Sequence, residues 1–92
     1  MLWIVKMTVA FVLLNVKTGT ESAVLRVLKD LEKVKEAYVV YGIYDLMVKL
    51  EADTLDKIKG IVDLKIRKLN DVRASITMIA LEKPGREKRS RR

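Results

Sequence analysis

The chain has 92 residues and contains neither cysteine nor histidine. That excludes disulfides, iron–sulfur clusters, thiol catalysis, a Ser-His-Asp triad and a conventional zinc site. Half of the residues are hydrophobic but only five are aromatic, so the core must be built from Val, Leu, Ile and Ala. The net charge of +7 is unevenly spread: residues 83–92 hold six basic residues against Glu87, which leaves 13 basic and 11 acidic residues in 1–82.

A chain of this length makes one domain, and at this size folding buries roughly 60–65% of the unfolded surface, which leaves an isolated monomer only modestly stable. The first residues, MLWIV, are apolar, followed by Lys6 and a second apolar run from Val9 to Leu14. A signal peptide needs positive charge before its apolar stretch and a small-residue cleavage site after it, and neither is present. Lys6, Thr8 and Asn15 interrupt the run well short of the ~20 apolar residues of a membrane span. The expected location is cytoplasmic, without membrane partners. Met7 is an alternative candidate start, and 1–7 reads as an extension or a lead-in to the first strand.

Residues 8–16 (TVAFVLLNV) are rich in β-branched and apolar types and read as a strand. Both of its alternating sets are apolar, Val9, Phe11 and Leu13 on one side and Ala10, Val12 and Leu14 on the other. Such a strand belongs at the centre of a sheet, covered on both faces. Thr18 followed by Glu21 fits a capping box for a helix over about 19–33, with Val24, Val27, Leu28 and Leu31 on its apolar face. A second strand runs over 34–41 and a third over 46–52, where Leu46, Val48 and Leu50 alternate with Met47, Lys49 and Glu51.

Asp53 or Thr54 caps a second helix. Its apolar stripe is Leu55, Ile58, Val62, Ile66 and Leu69, and Asn70-Asp71 ends it. The last strand is 72–81, with Val72, Ala74, Ile76 and Met78 expected on one side and Arg73, Ser75, Thr77 and Ile79 on the other. Lys83-Pro84-Gly85 then breaks regular structure, and 83–92 reads as a basic, disordered tail. The order β-α-β-β-α-β gives an α+β, ferredoxin-like sandwich: a four-stranded antiparallel sheet with both helices on one face and strands one and three central. The opposite face is expected to carry Ser75, Thr77, Ile79 and Leu81. Such exposed, partly apolar area marks a partner interface, and a dimer formed sheet against sheet is expected.

Tyr41-Gly42-Ile43-Tyr44-Asp45 joins the second and third strands. Gly42 supplies the backbone freedom that a tight connection needs. Two tyrosines and a carboxylate are more side-chain chemistry than a hairpin requires, which makes this turn the candidate small-molecule contact. Each residue also has a plainer role: Asp45 as a turn cap, Tyr41 and Tyr44 as packing groups with their hydroxyls at the edge. Free amides near Gly42 could receive a carboxylate, because turns form anion-binding nests. Lys17-Thr18-Gly19-Thr20 lacks the phosphate-loop pattern and reads as capping. Asp53, Asp56 and Asp63 read as a solvated acidic face, and no metal or cofactor is expected.

The segments AFVLLNV (10–16), AYVVYGIYDLMVKLEADT (37–54) and VRASITMIAL (72–81) resemble the effector-binding, or RAM, domain of Lrp/AsnC-type transcriptional regulators. The resemblance spans about 8–82, and its most specific part is the strand, the Gly-x-Tyr-Asp turn, the next strand and the acidic-Thr helix start. Full-length members carry a helix-turn-helix domain before this module, and seven residues are too few for one, so the chain looks like a stand-alone RAM domain. The resemblance implies a non-catalytic module that senses an amino-acid effector and modulates transcription. It implies homodimers that assemble further, often to octamers, and co-assembly with full-length Lrp/AsnC regulators. It also implies that effectors bind between dimers, with Asp45 pairing to an ammonium and Tyr41, Gly42, Tyr44, Ser75 and Thr77 completing the site.

Two other functions fit parts of the chain. Small dimeric ferredoxin-like enzymes hold substrate between sheet and helices, but the helix-facing positions here are expected to be uniformly apolar. The basic tail could bind nucleic acid through phosphates, weakly and in a salt-dependent way, without aromatic residues to stack on bases.

Overall fold

The computed structural model describes residues 7–81. The expected basic tail, 83–92, lies outside them, as does the N-terminal lead-in apart from Met7. The elements follow the expected order: β1 (Thr8–Val16), α1 (Glu21–Lys29), β2 (Val34–Val39), β3 (Leu46–Ala52), α2 (Leu55–Ile61) running into a π-helical turn (Val62–Ile66), and β4 (Val72–Ala80). The four strands form one antiparallel sheet in the order β2-β3-β1-β4. This is the ferredoxin-like α+β sandwich, with β1 and β3 central.

The core lies between the sheet and the helices. Ala10, Val12 and Leu14 of β1 and Leu46, Val48 and Leu50 of β3 are completely buried there. Val24 and Leu28 of α1 and Ile58, Val62 and Ile66 of the second helical segment close over them. No polar or charged residue is buried among the described residues, so the core rests on burial of aliphatic groups. The other set on β1, Val9, Phe11 and Leu13, is only half-buried, because no element among the described residues covers that face.

Both helices are shorter or less regular than their periodicity predicts. α1 ends at Lys29, where Asp30, Leu31 and Val34 donate to the carbonyls of Val27, Leu28 and Leu31, a succession of three-residue turns that tightens and closes the helix. The expected capping box does not form. Thr20, not Thr18, stands at the N-cap; its hydroxyl donates to the Lys17 carbonyl at 2.6 Å, and Glu21 accepts from the Gly19 amide at 3.1 Å. Gly19 turns the chain with φ 91°, a conformation that side-chain-bearing residues rarely adopt.

Thr54 is the cap of α2: its hydroxyl oxygen accepts from the Lys57 amide at 3.2 Å, while Asp53 pairs instead with the Lys57 ammonium at 3.0 Å. That pairing holds the Asp53 carboxyl below its ordinary pKa, chiefly through the hydrogen bond from Lys57. The helix does not continue regularly to 69. After Gly60, a poor helix former, it widens, and the Arg67 amide donates to the Val62 carbonyl five residues back, at 2.8 Å.

Register corrects the expected faces of β4. Asn15 pairs with Ala74 but Val16 pairs with Val72, so Arg73 is an extra residue, a β-bulge. A one-residue slip exchanges the faces of everything beyond it. Val72 therefore packs on the core, whereas Ala74, Ile76 and Met78 lie on the open face. Ser75, Thr77 and Ile79 stand opposite Leu14, Val12 and Ala10, on the helix side. The expectation that Ser75, Thr77 and Ile79 belong to the open face is thus wrong, and the outward set is the more apolar one.

Candidate functional site

The hairpin tip is held at its base and bare at its end. Gly42 has φ 159°, outside the range that L side chains adopt readily, and an added Cβ would meet nothing within 4 Å. Tyr41 and Ile43 are almost wholly exposed, whereas Tyr44 and Asp45 are half-buried. Asp45 fastens the tip to the end of β1. Its amide donates to the Leu14 carbonyl at 2.8 Å, its carbonyl accepts from the Val40 amide at 2.9 Å, and its Oδ2 accepts from the Val16 amide at 2.9 Å. The turn-capping role of Asp45 is therefore real. Its Oδ1 makes no hydrogen bond among the described residues, so one carboxylate oxygen remains available to a ligand cation.

Ser75 and Thr77 do not join this cluster. They line a groove of about 590 Å³ between β4 and the second helical segment. Its apolar wall comes from Leu55, Ile58, Val62 and Ile79, and its charged lip from Lys59, Asp63 and Arg67. The groove forms because β4 is an edge strand and the helix packs mainly over the central strands. Asp63 and Arg67 stand 3.6 Å apart on the helix surface, a solvent-screened pair. The helix-facing positions are consequently not uniformly apolar, contrary to the sequence expectation: the bulge at Arg73 brings two hydroxyls there. No three residues of types Asp and Glu cluster closely enough to hold a metal ion among the described residues.

Four contributors carry no clear signal in the sequence. Ile43 is the unspecified position of the Gly-x-Tyr-Asp turn, yet its apolar side chain is almost as bare as Tyr41. Asn15 read only as an interruption of an apolar run, yet its side chain reaches the turn. Lys59 and Arg67 have nothing in the sequence to link them, and only the groove gives them a shared neighbourhood.

The uncovered sheet face adds an apolar surface. Phe11 lies opposite Met78, and Leu13 lies between Met47 and Ile76. Tyr38, Ile76 and Met78 there are 48%, 45% and 47% exposed. Towards β2 the face turns polar: Lys49 lies 3.8 Å from Glu36 and 3.6 Å from Glu51. No helix among the described residues is long and apolar enough to cross a membrane.

The comparisons agree with this architecture. The family model of the Lrp/AsnC ligand-binding domain matches residues 9–90, and the chain belongs to that family. FFRP-DM1 superposes with a TM-score of 0.78 at 44% identity, over 80% of this chain and 99% of its own. Hypothetical protein PHS023 from Pyrococcus horikoshii superposes with a TM-score of 0.78 at 43% identity, over 83% and 92%. The complex of transcriptional regulator NMB0573 from Neisseria meningitidis with L-Met shares the fold at 10% identity, with a TM-score of 0.72 over 82% of this chain and 50% of that one. Comparison with curated proteins gave no significant match.

Proposed function

We propose that the protein is a non-catalytic, amino-acid-sensing regulatory module that modulates transcription by changing its assembly. Copies dimerise through the open sheet face, and dimers associate further, up to an octamer, or co-assemble with full-length Lrp/AsnC regulators. The observation that carries this reading is the division of the candidate site into two incomplete halves. The projecting tip holds Tyr41, Gly42, Tyr44 and Asp45; the groove beside β4 holds Ser75 and Thr77. An amino acid between the tip of one copy and the groove of another would meet Asp45 Oδ1 with its ammonium. The turn amides or the Lys59–Arg67 lip would meet its carboxylate, and the groove's apolar wall its side chain. The Neisseria neighbour in complex with L-Met supports an amino acid as the ligand class. Family membership supports the regulatory role.

Isothermal titration of each of the twenty L-amino acids into the full chain tests this. At least one should bind, and Asp45→Ala or the Ser75→Ala/Thr77→Val double variant should each weaken it by about tenfold or more, the usual effect of losing a hydrogen bond to a charged ligand group. Heat from none of the twenty removes the sensor reading.

A further inference from the structure

Asn15 is the last polar side chain on β1, half-buried on the open face among Leu13, Ala74 and the hairpin. Its amide nitrogen donates to the Ile43 carbonyl at 2.8 Å and stands 3.5 Å from Asp45 Oδ2. The same oxygen accepts from the Val16 amide at 2.9 Å. A six-residue connection with two nearly bare side chains would ordinarily move as a loop. Here side-chain bonds from β1 reach it at both Ile43 and Asp45. Both approaches to the Asp45 carboxylate fall on Oδ2.

We infer that Asn15 is a positioning residue for the effector site. Its amide ties the Ile43 carbonyl to the end of β1 and helps commit Asp45 Oδ2 to the fold. Tyr41 and Ile43 are thereby held as a projecting tip, and Oδ1 is left for the ligand ammonium. Fixing the tip beforehand removes ordering cost at the moment when a second copy closes over the amino acid. This inference rests on the reading of Asp45 as the ammonium partner.

The test compares the unsubstituted 92-residue chain with Asn15→Ala and Asn15→Leu. The leucine variant keeps the branched outline of asparagine and removes its donor, whereas the alanine variant removes both, so a packing defect is separated from a lost hydrogen bond. Two quantities are read: amide hydrogen exchange at Val40 and Asp45, whose N–H groups donate to the Asp45 and Leu14 carbonyls, and affinity in single titrations of the twenty L-amino acids. Exchange at the turn should rise about tenfold in both variants, and affinity for the tightest-binding amino acid should fall about tenfold, with exchange of the β3 core amides unchanged. Unchanged exchange at the turn in the leucine variant rejects the clasp. A loosened turn with wild-type affinity rejects its role in the effector site. If the wild type binds none of the twenty, the effector role falls with the sensor reading, while the exchange data still decide whether Asn15 holds the tip.

Discussion

Tyr38 shows how a single residue can report on the open face. Its hydroxyl donates to Glu36 at 2.8 Å, and this bond, with the carboxylate's charge, raises the tyrosine pKa above its ordinary value. The bond exists only while the hydroxyl keeps its proton, so its contribution is complete below the ordinary tyrosine pKa. It disappears as pH rises through the elevated folded-state value. In an ultraviolet titration, Glu36→Gln should shift the Tyr38 midpoint down toward the ordinary tyrosine value; an unmoved midpoint would mean the contact does not persist in solution. The same scale separates legible residues from hidden ones. Gly42 and Asp45 stood out because a glycine and a carboxylate in a short connection imply a turn. Asn15 did not, because its partners, Ile43 and Asp45, lie 28 and 30 residues away in the chain.

Element boundaries were set by local bonds that periodicity does not reveal. Thr18 and Thr54 both precede apolar-periodic runs, and both look like caps. Only Thr54 accepts a backbone hydrogen bond from its helix, from Lys57; the α1 cap position falls to Thr20, whose hydroxyl donates backward to Lys17 instead. Thr54→Ala should therefore cost about 1 kcal/mol in chemical denaturation, and Thr18→Ala should leave the midpoint unchanged. Equal losses in the two would reinstate the capping box. β4 makes the same point for strands. Its alternation was visible, but the extra residue at Arg73 exchanges its faces between Val72 and Ala74. A bulge arises from pairing with a neighbouring strand, here at Asn15 and Val16, and leaves no mark in the alternation of its own strand.

At the scale of the molecule, among the described residues one face of the sheet is closed by helices and no element covers the other. The uncovered face carries Phe11, Leu13, Met47, Ile76 and Met78, with the Glu36–Lys49–Glu51 cluster toward the β2 side. A small domain with an aliphatic core gains stability by burying such a surface against a second copy. Ile76→Asp places a charge in the middle of the apolar half without touching the core, since Ile76 is already 45% exposed in the single chain. If the proposed sheet-to-sheet dimer forms, sedimentation should show the wild type as a dimer or larger and this variant as a monomer. Its melting temperature should also lose the concentration dependence expected of an oligomer. A dimer that survives the substitution would place the interface elsewhere.

Composition and periodicity alone were enough to establish the order of elements, the central place of β1, the aliphatic core and the glycine turn. Each of these depends on nearest neighbours in the chain or on the burial of an unbroken apolar run. The helix-side placement of Ser75 and Thr77, the groove they share with Lys59 and Arg67, and the Asn15 clasp on the turn were decided only when the chain folded. All three follow from how β1 meets β4 and the hairpin. Strand alternation specifies two faces but not which one meets the helices, and a single bulged residue is enough to exchange them.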